Sequence, residues 1–193
     1  MPRPKGSSLT ANDILIAAIA VIQQEGEAAL GINRVARQLS IKPPSMYNHI
    51  PSNEALYRLV ALEAWRRLLA VTEKNLLGIT GSQETLRSAA YSYREFAQSN
   101  PELMAIAAQH AMSLADEEFA IVHGKLVGIY QRALEPWNLS PAEVIHAVRM
   151  LNAMFFGYAQ LERNKIFRYP ESMEESYQWM VERAIDSLKN GQP

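Results

Sequence analysis

The sequence predicts an all-α protein of nine helices: an N-terminal three-helix helix-turn-helix domain, then a larger C-terminal helical domain. Three observations carry that expectation. Apolar residues recur at i, i+3, i+4 and i+7 spacing along the chain, and no stretch of useful length alternates as a half-buried strand does. Helix-start signals recur, each a Ser, Thr or Asn followed by Pro or by an acid three residues on. Gly26, Pro51, Gly78 and Gly81 stand where the periodic runs break.

Composition narrows the classes. The 193 residues are 48% hydrophobic and 20% charged, which fits a globular protein with a sizeable core. With no cysteine there is no disulfide, thiolate nucleophile or Cys-ligated zinc. Met1 to Gly6 has no apolar core behind it, and the longest apolar run, Ile14 to Ile22, is too short to span a bilayer. The expectation is a cytoplasmic protein with no membrane partner and no cofactor. The net charge is −1 but uneven: residues 1–69 hold eight Lys/Arg against five Asp/Glu, and the remainder eleven against fifteen. A cationic end on an acidic body suits docking of that end on a polyanion.

Taken in order, Thr10 and Asp13 form a capping-box pair that opens the first helix. Ile14, Leu15, Ala18, Ile19, Val21 and Ile22 give it a broad apolar stripe, and Gly26 ends it. In the second helix Ile32, Val35, Ala36 and Leu39 share one face. Ser40-Ile41-Lys42 makes the connection, with Ile41 as the apolar plug between the two helices. Pro43-Pro44 opens the third, where a missing N–H costs nothing, and Pro51 stops it. Ser52 caps a long helix from about Asn53 to Leu77 that carries Leu56, Leu59, Leu62, Trp65 and Leu69. Ser82 precedes a helix with Leu86, Ala89, Tyr93 and Phe96, and Asn100-Pro101-Glu102 starts one from Leu103 to Met112. Asp116 or a neighbour starts Phe119 to Leu134. Ser140-Pro141-Ala142-Glu143 and Ser172 to Glu175 are capping boxes that open the last two helices.

The third helix is where function is legible. If Met46 and Ile50 face inward, Lys42, Ser45, Tyr47, Asn48 and His49 face outward. That set has a cation, several hydrogen-bonding groups and an aromatic, and no acid. A short helix with such a face suits the major groove of DNA, where phosphates and base edges lie together. The plainer alternative is a helical hairpin with a solvated polar face.

With the helix before it, this stretch resembles the N-terminal DNA-binding domain of tetracycline-repressor-like (TetR) transcriptional regulators. The resemblance rests on Gly26, Val35-Ala36, Leu39, Met46-Tyr47-Asn48-His49-Ile50, Ser52-Asn53 and Leu56, in order and without gaps. Three positions depart from the family pattern. Gly31 stands where a Thr or Ser usually caps the helix and touches phosphate. Ser40 replaces the usual turn glycine, which asks a non-glycine residue for a left-handed conformation. Asn53 replaces the usual Lys, which removes a phosphate cation.

The DNA-binding set expected is Asn48 and His49 at base edges, helped by Asn33, with Lys42, Ser45 and Tyr47 on phosphate and Pro44 and Asn53 beside them. Arg3 and Lys5, in the Pro/Gly/Ser-rich residues 1–8, read either as a frayed terminus or as a basic arm. The division expected is residues 1–51 for DNA and 52–193 for effector and mate, with 52–78 as connecting helix.

The resemblance further implies a homodimer on a palindromic double-stranded operator, paired through the last two helices. The interface residues expected there are Phe155, Gly157, Tyr177, Val181, Ala184 and Leu188. It also implies a cavity in the middle helices for a small apolar or amphipathic effector. Trp65, Tyr93, Met104, His110, Met150 and Met154 are its candidates, with His110 or Tyr93 as polar handle. The same residues also read as plain core.

Two rivals remain. For an enzyme, the suggestive pair is Glu143-x-x-His146, but a di-iron bundle needs a second such motif, and none occurs. A helical adaptor that binds protein and no DNA would explain the acidic body. It would leave the outward row from Lys42 to His49 without a purpose.

Overall fold

The computed structural model describes residues 9–110 and 112–190; Arg3 and Lys5, the basic-arm candidates, lie outside them. Among the described residues the order is α1 (Ala11–Glu25), a 3-10 turn (Glu27–Ala29), α2 (Ile32–Gln38), α3 (Pro43–Tyr47), α4 (Asn53–Asn75), α5 (Ser82–Ser99) and α6 (Pro101–Gln109). There follow α7 (Glu117–Leu134), a second 3-10 turn (Glu135–Trp137), α8 (Pro141–Arg163) and α9 (Met173–Asn190). The all-α expectation of nine helices holds among these residues.

Local chemistry sets many of the boundaries. The Thr10 hydroxyl accepts from the Asp13 N–H at 3.1 Å while the Asp13 carboxylate accepts from the Thr10 N–H at 2.9 Å, the reciprocal box that starts α1. Ser140 and Glu143 repeat it at α8, and the Ser172 hydroxyl accepts from the Glu175 N–H at 3.3 Å. Three helices end sooner than their periodicity suggests. α4 stops at Asn75, ahead of a turn closed by Gly78 at φ +81°. α6 stops at Gln109, where His110 turns extended. α3 spans only Pro43–Tyr47, because the His49 and Ile50 N–H groups both donate to the Met46 carbonyl and tighten the last turn ahead of Pro51.

The chain divides into two units, and the break falls inside α4. The first runs to Arg66 and takes in Asn100–Phe119; the second holds Arg67–Ser99 and the chain from Ala120 on. In the first unit α1 packs on α2, α2 on α3, and α6 on α1. Its core is aliphatic: Ile14, Ile22, Val35, Met46, Ile50, Leu56 and Val60 from the helix-turn-helix side, with Leu103 and Ile106 from α6. In the second unit α5 packs on α8 and α9, and α8 on α9. Its core mixes Leu86, Leu134, Leu151 and Ile185 with Phe96, Phe155, Tyr93, Tyr130, Tyr158 and Tyr177, and it buries Arg94.

Candidate nucleic-acid interface

The turn between α2 and α3 fixes how the recognition residues are presented. Past α2, Ser40 takes φ +56°, its N–H donates to the Arg37 carbonyl, and the Ile41 N–H reaches back to Ala36, each at 3.0 Å. This is a Schellman closure with serine at the left-handed position. Ile41 then packs, partly buried, against the first unit's core.

α3 presents its residues as its period dictates. Met46 and Ile50 are buried, while Lys42, Pro44, Ser45, Tyr47, Asn48 and His49 are exposed. Asn48 and His49 lie just past the helix; Asn48 is still helical at φ −67° and ψ −19°. Asn33 is exposed on α2, and so is Arg37, one turn on along the same face. Arg37 was missing from the expected set, although its i+4 spacing from Asn33 marks it.

Three other cations of this unit are engaged. The Arg34 Nε donates to Glu25 at 2.8 Å, which keeps the guanidinium protonated and holds the Glu25 carboxyl below its ordinary range. Arg58 of α4 is held by Asp116, and also by Glu118 at 2.9 Å; Arg66 reaches the same Glu118 at 2.8 Å. Arg58 holds both acids below the usual carboxylate range, with Arg66 adding to the effect on Glu118. The positive balance of residues 1–69 therefore includes charge spent inside the unit.

Asn53 is not an isolated surface group. Its Oδ1 accepts a 2.9 Å hydrogen bond from the Ile32 N–H, the first amide of α2.

The six effector candidates divide between the units. Trp65, Met104 and His110 belong to the first. Trp65 meets Phe119 edge-on at 6.3 Å, Met104 is buried, and His110 stacks on Tyr57 at 6.4 Å with Glu54 3.5 Å away. Tyr93, Met150 and Met154 belong to the second. The Tyr93 hydroxyl is buried without a hydrogen-bond partner, and burial pushes its pKa up. Met150 and Met154 are half-buried. One cavity of the second unit, of about 330 Å³, is lined by Leu139, Glu143, His146, Ala147, Met150, Ser187 and Leu188. Another, of about 240 Å³, lies among Leu76, Ile79, Thr80, Ser82, Thr85, Ile129, Arg132 and Ala133.

Of the six dimer candidates, Phe155, Tyr177, Val181 and Ala184 are buried inside the second unit's own core. Gly157 and Leu188 are half-exposed, and a Cβ placed on Gly157 would meet nothing within 4 Å. The apolar side chains exposed on these helices are Ile145, Phe156, Leu161 and Trp179. Periodicity identified the apolar face of each helix but not which part the unit covers for itself.

The fold and the presented face define a helix-turn-helix protein. Residues 86–184 match the tetracyclin repressor-like C-terminal domain family. The helix-turn-helix-type transcriptional regulator YobS of Bacillus subtilis (strain 168) is 26% identical over 181 residues, 93% of each chain. The fold is similar to that of a TetR variant of Acinetobacter baumannii AYE, solved in complex with minocycline (TM-score 0.74, 16% identity, 96% of this chain and 99% of that one). It is also similar to BioQ bound to its double-stranded DNA operator (TM-score 0.71, 20% identity, 94% and 98%). The chain belongs to the tetracycline-repressor-like family of transcriptional regulators. Its relatives are regulators, not enzymes, and operator DNA is the partner that goes with the family. No helix among the described residues is long and apolar enough to cross a membrane.

Proposed function

We propose that this regulator is a repressor that works as a homodimer on a palindromic operator in the cytoplasm, and that a small apolar or amphipathic effector releases it. The observation that carries the DNA reading is the exposed row of Lys42, Ser45, Tyr47, Asn48 and His49 around buried Met46 and Ile50. Asn48 and His49 address base edges, helped by Asn33, with Arg37 beside it. Lys42, Ser45 and Tyr47 hold phosphate, and Pro44 offers an apolar surface of the kind that meets a thymine methyl. Two such segments in a two-fold dimer read half-sites about 34–36 Å apart.

In this reading residues 1–51 work on the operator and 52–193 serve effector and mate, with 52–78 connecting. For the mate, Gly157 and Leu188 together with Ile145, Phe156 and Trp179 form the contact, and Phe155, Tyr177, Val181 and Ala184 back it from within. For the effector, the partnerless Tyr93 hydroxyl is the polar handle, with Met150 and Met154 as apolar lining. Trp65, Met104 and His110 lie on α4, on α6 and just past α6, elements whose shift moves the recognition segment. Release is then a population shift toward a dimer whose two segments no longer match the half-site spacing.

The test is selection of bound sequences from a random duplex pool at two salt concentrations. An enriched palindrome with salt-sensitive affinity supports the reading. Asn48→Ala should then lose more affinity for that palindrome than for random duplex. Weak, salt-abolished binding with no enrichment overturns the reading in favour of a helical protein-interaction adaptor without DNA binding.

A further inference from the structure

The three departures from the family pattern are Gly31, Ser40 and Asn53, and two of them meet in space. Gly31 stands at the N-cap of α2 in extended backbone (φ −178°, ψ 154°) and offers no side-chain cap bond. The first amides of a helix have no partner inside it, so this end needs an outside acceptor. Asn53, twenty-one residues past Ile32 and the first residue of α4, places its Oδ1 2.9 Å from the Ile32 N–H. Because the backbone partner is a donor, the carboxamide must face it with oxygen, which fixes its orientation. A Cβ at residue 31 would lie 3.8 Å from that oxygen, in ordinary contact. The Ser52 hydroxyl meanwhile accepts from the Ala55 N–H at 3.1 Å and caps α4, leaving the neighbouring Asn53 side chain to serve the other helix.

We propose that Asn53 is a positioning residue for DNA recognition: it caps α2 from the start of α4 and so fixes the helix-turn-helix to the helix that follows it. Gly31 and Asn53 then act on one helix end: a hydroxyl at the N-cap would take the second or third amide of α2, whereas the Asn53 carboxamide takes the first, that of Ile32. The neutral carboxamide replaces a phosphate cation and sets the seat of the α2–α3 pair on α4. This inference rests on the DNA-binding reading above.

The test pairs a loss with a rescue. Asn53→Ala should weaken binding to the duplex that the wild type enriches from a random pool by about five- to ten-fold, the size of a lost helix cap. Gly31→Ser in that background caps the same helix end through the Asn33 or Arg34 amide, leaves the Ile32 amide unpaired, and should recover part of the lost affinity. Gly31→Ser alone should change it little. Amide hydrogen exchange gives a readout free of DNA, since Ile32 should be protected in the wild type and lose protection in Asn53→Ala. An Asn53→Ala loss that Gly31→Ser fails to rescue, or no loss at all, overturns the proposal. An unprotected Ile32 amide in the wild type removes the cap itself. Failure of the DNA reading is distinguishable, because the wild type then enriches no duplex while Ile32 stays protected; the recognition role falls with it.

Discussion

The two units solve burial in opposite ways. The first encloses an aliphatic core with no charged group among its buried described residues, and its ion pairs lie at the edge. The second buries four tyrosines and a guanidinium: Arg94 is 6% exposed, donates to Glu162 at 2.7 Å and to Glu174, and lies 4.8 Å over the Tyr177 ring. Tyr177 donates to the Ala90 carbonyl at 2.6 Å, Tyr158 to that of Met173 at 2.7 Å, and Tyr93 to nothing. A close-packed aliphatic core holds one arrangement and suits a surface that must present fixed groups. Buried polar groups rigidify a core where they are satisfied, as Arg94, Tyr158 and Tyr177 are, and leave an opening for an outside partner where one is not, as at the Tyr93 hydroxyl. The first core fits the proposed reader, and the unpaired Tyr93 hydroxyl of the second is the feature that fits the proposed effector site.

The largest effect should come from breaking the second kind of core. Arg94→Ala leaves the Glu162 carboxylate, itself largely buried, without its cation and should destabilise the second unit by about 3–5 kcal/mol. Urea unfolding followed with Trp137 as the sole tryptophan reads that unit, and with Trp65 alone it reads the first. The Trp137 transition should move and the Trp65 transition hold. Equal movement of both would show one cooperative block and erase the contrast.

Adjacent residues of α3 separate frame from surface within the first unit. Met46 is fully buried, so Met46→Ala should cost about 3 kcal/mol and lower operator binding through loss of the fold. Tyr47 is 52% exposed, so Tyr47→Ala should change stability by no more than about 0.5 kcal/mol while weakening binding to every duplex. Unfolding and titration of both variants check this pair. A Tyr47→Ala variant that binds random and enriched duplex as the wild type does would remove that side chain from the interface.

Acid should weigh on the first unit's edge. Asp116 and Glu118 are held below their ordinary range, chiefly by Arg58. In acid the unfolded chain therefore takes up protons before the folded one does. Their contribution is whole above the ordinary carboxylate range, about pH 4–5, and is lost as pH falls through and below it. Arg58→Ala should flatten that acid limb of the Trp65 transition by lowering its plateau near pH 7, while the value in acid, where both carboxylates are protonated in either state, stays little changed. An unchanged limb would mean that the carboxylates are held by other partners.

What was legible in the sequence was what is local in the chain. The boxes at Thr10 and Ser140 and the inward Met46 and Ile50 each depend on residues within five positions and are legible directly, whereas the left-handed Ser40 follows from the family resemblance, which puts a glycine there. Interactions that depend on distant partners were not legible. The Asn53 bond to Ile32 spans 21 residues, and nothing in either neighbourhood announces it. α6 joins the first unit because Leu103 and Ile106 fit its core, a matter of shape that periodicity does not encode. Arg94 carries no local sign of burial; Glu162 and Glu174 close on it from α8 and α9. Tyr177 and Val181 read as a face for a mate because an apolar stripe does not say who covers it.

The smallest effect tests the two units on equal terms, because each contains the same strained closure. At the end of α8 Lys165 takes φ +53°, with its N–H on Glu162 and the Ile166 N–H on Leu161, matching Ser40 and Ile41 after α2. A non-glycine residue in this conformation costs roughly 1–2 kcal/mol, and glycine recovers that less its own entropy of about 0.5–1 kcal/mol. Ser40→Gly and Lys165→Gly should therefore each stabilise their own unit by about 0.5 kcal/mol, visible in the Trp65 and Trp137 transitions respectively. Ser40 is exposed and bonded only through its backbone, so operator affinity should stay unchanged. If Ser40→Gly stabilises the first unit yet weakens operator binding, the hydroxyl itself touches DNA, and the reader includes its turn. If it destabilises while Lys165→Gly does not, the first unit depends on serine at its strained turn in a way the second does not on lysine.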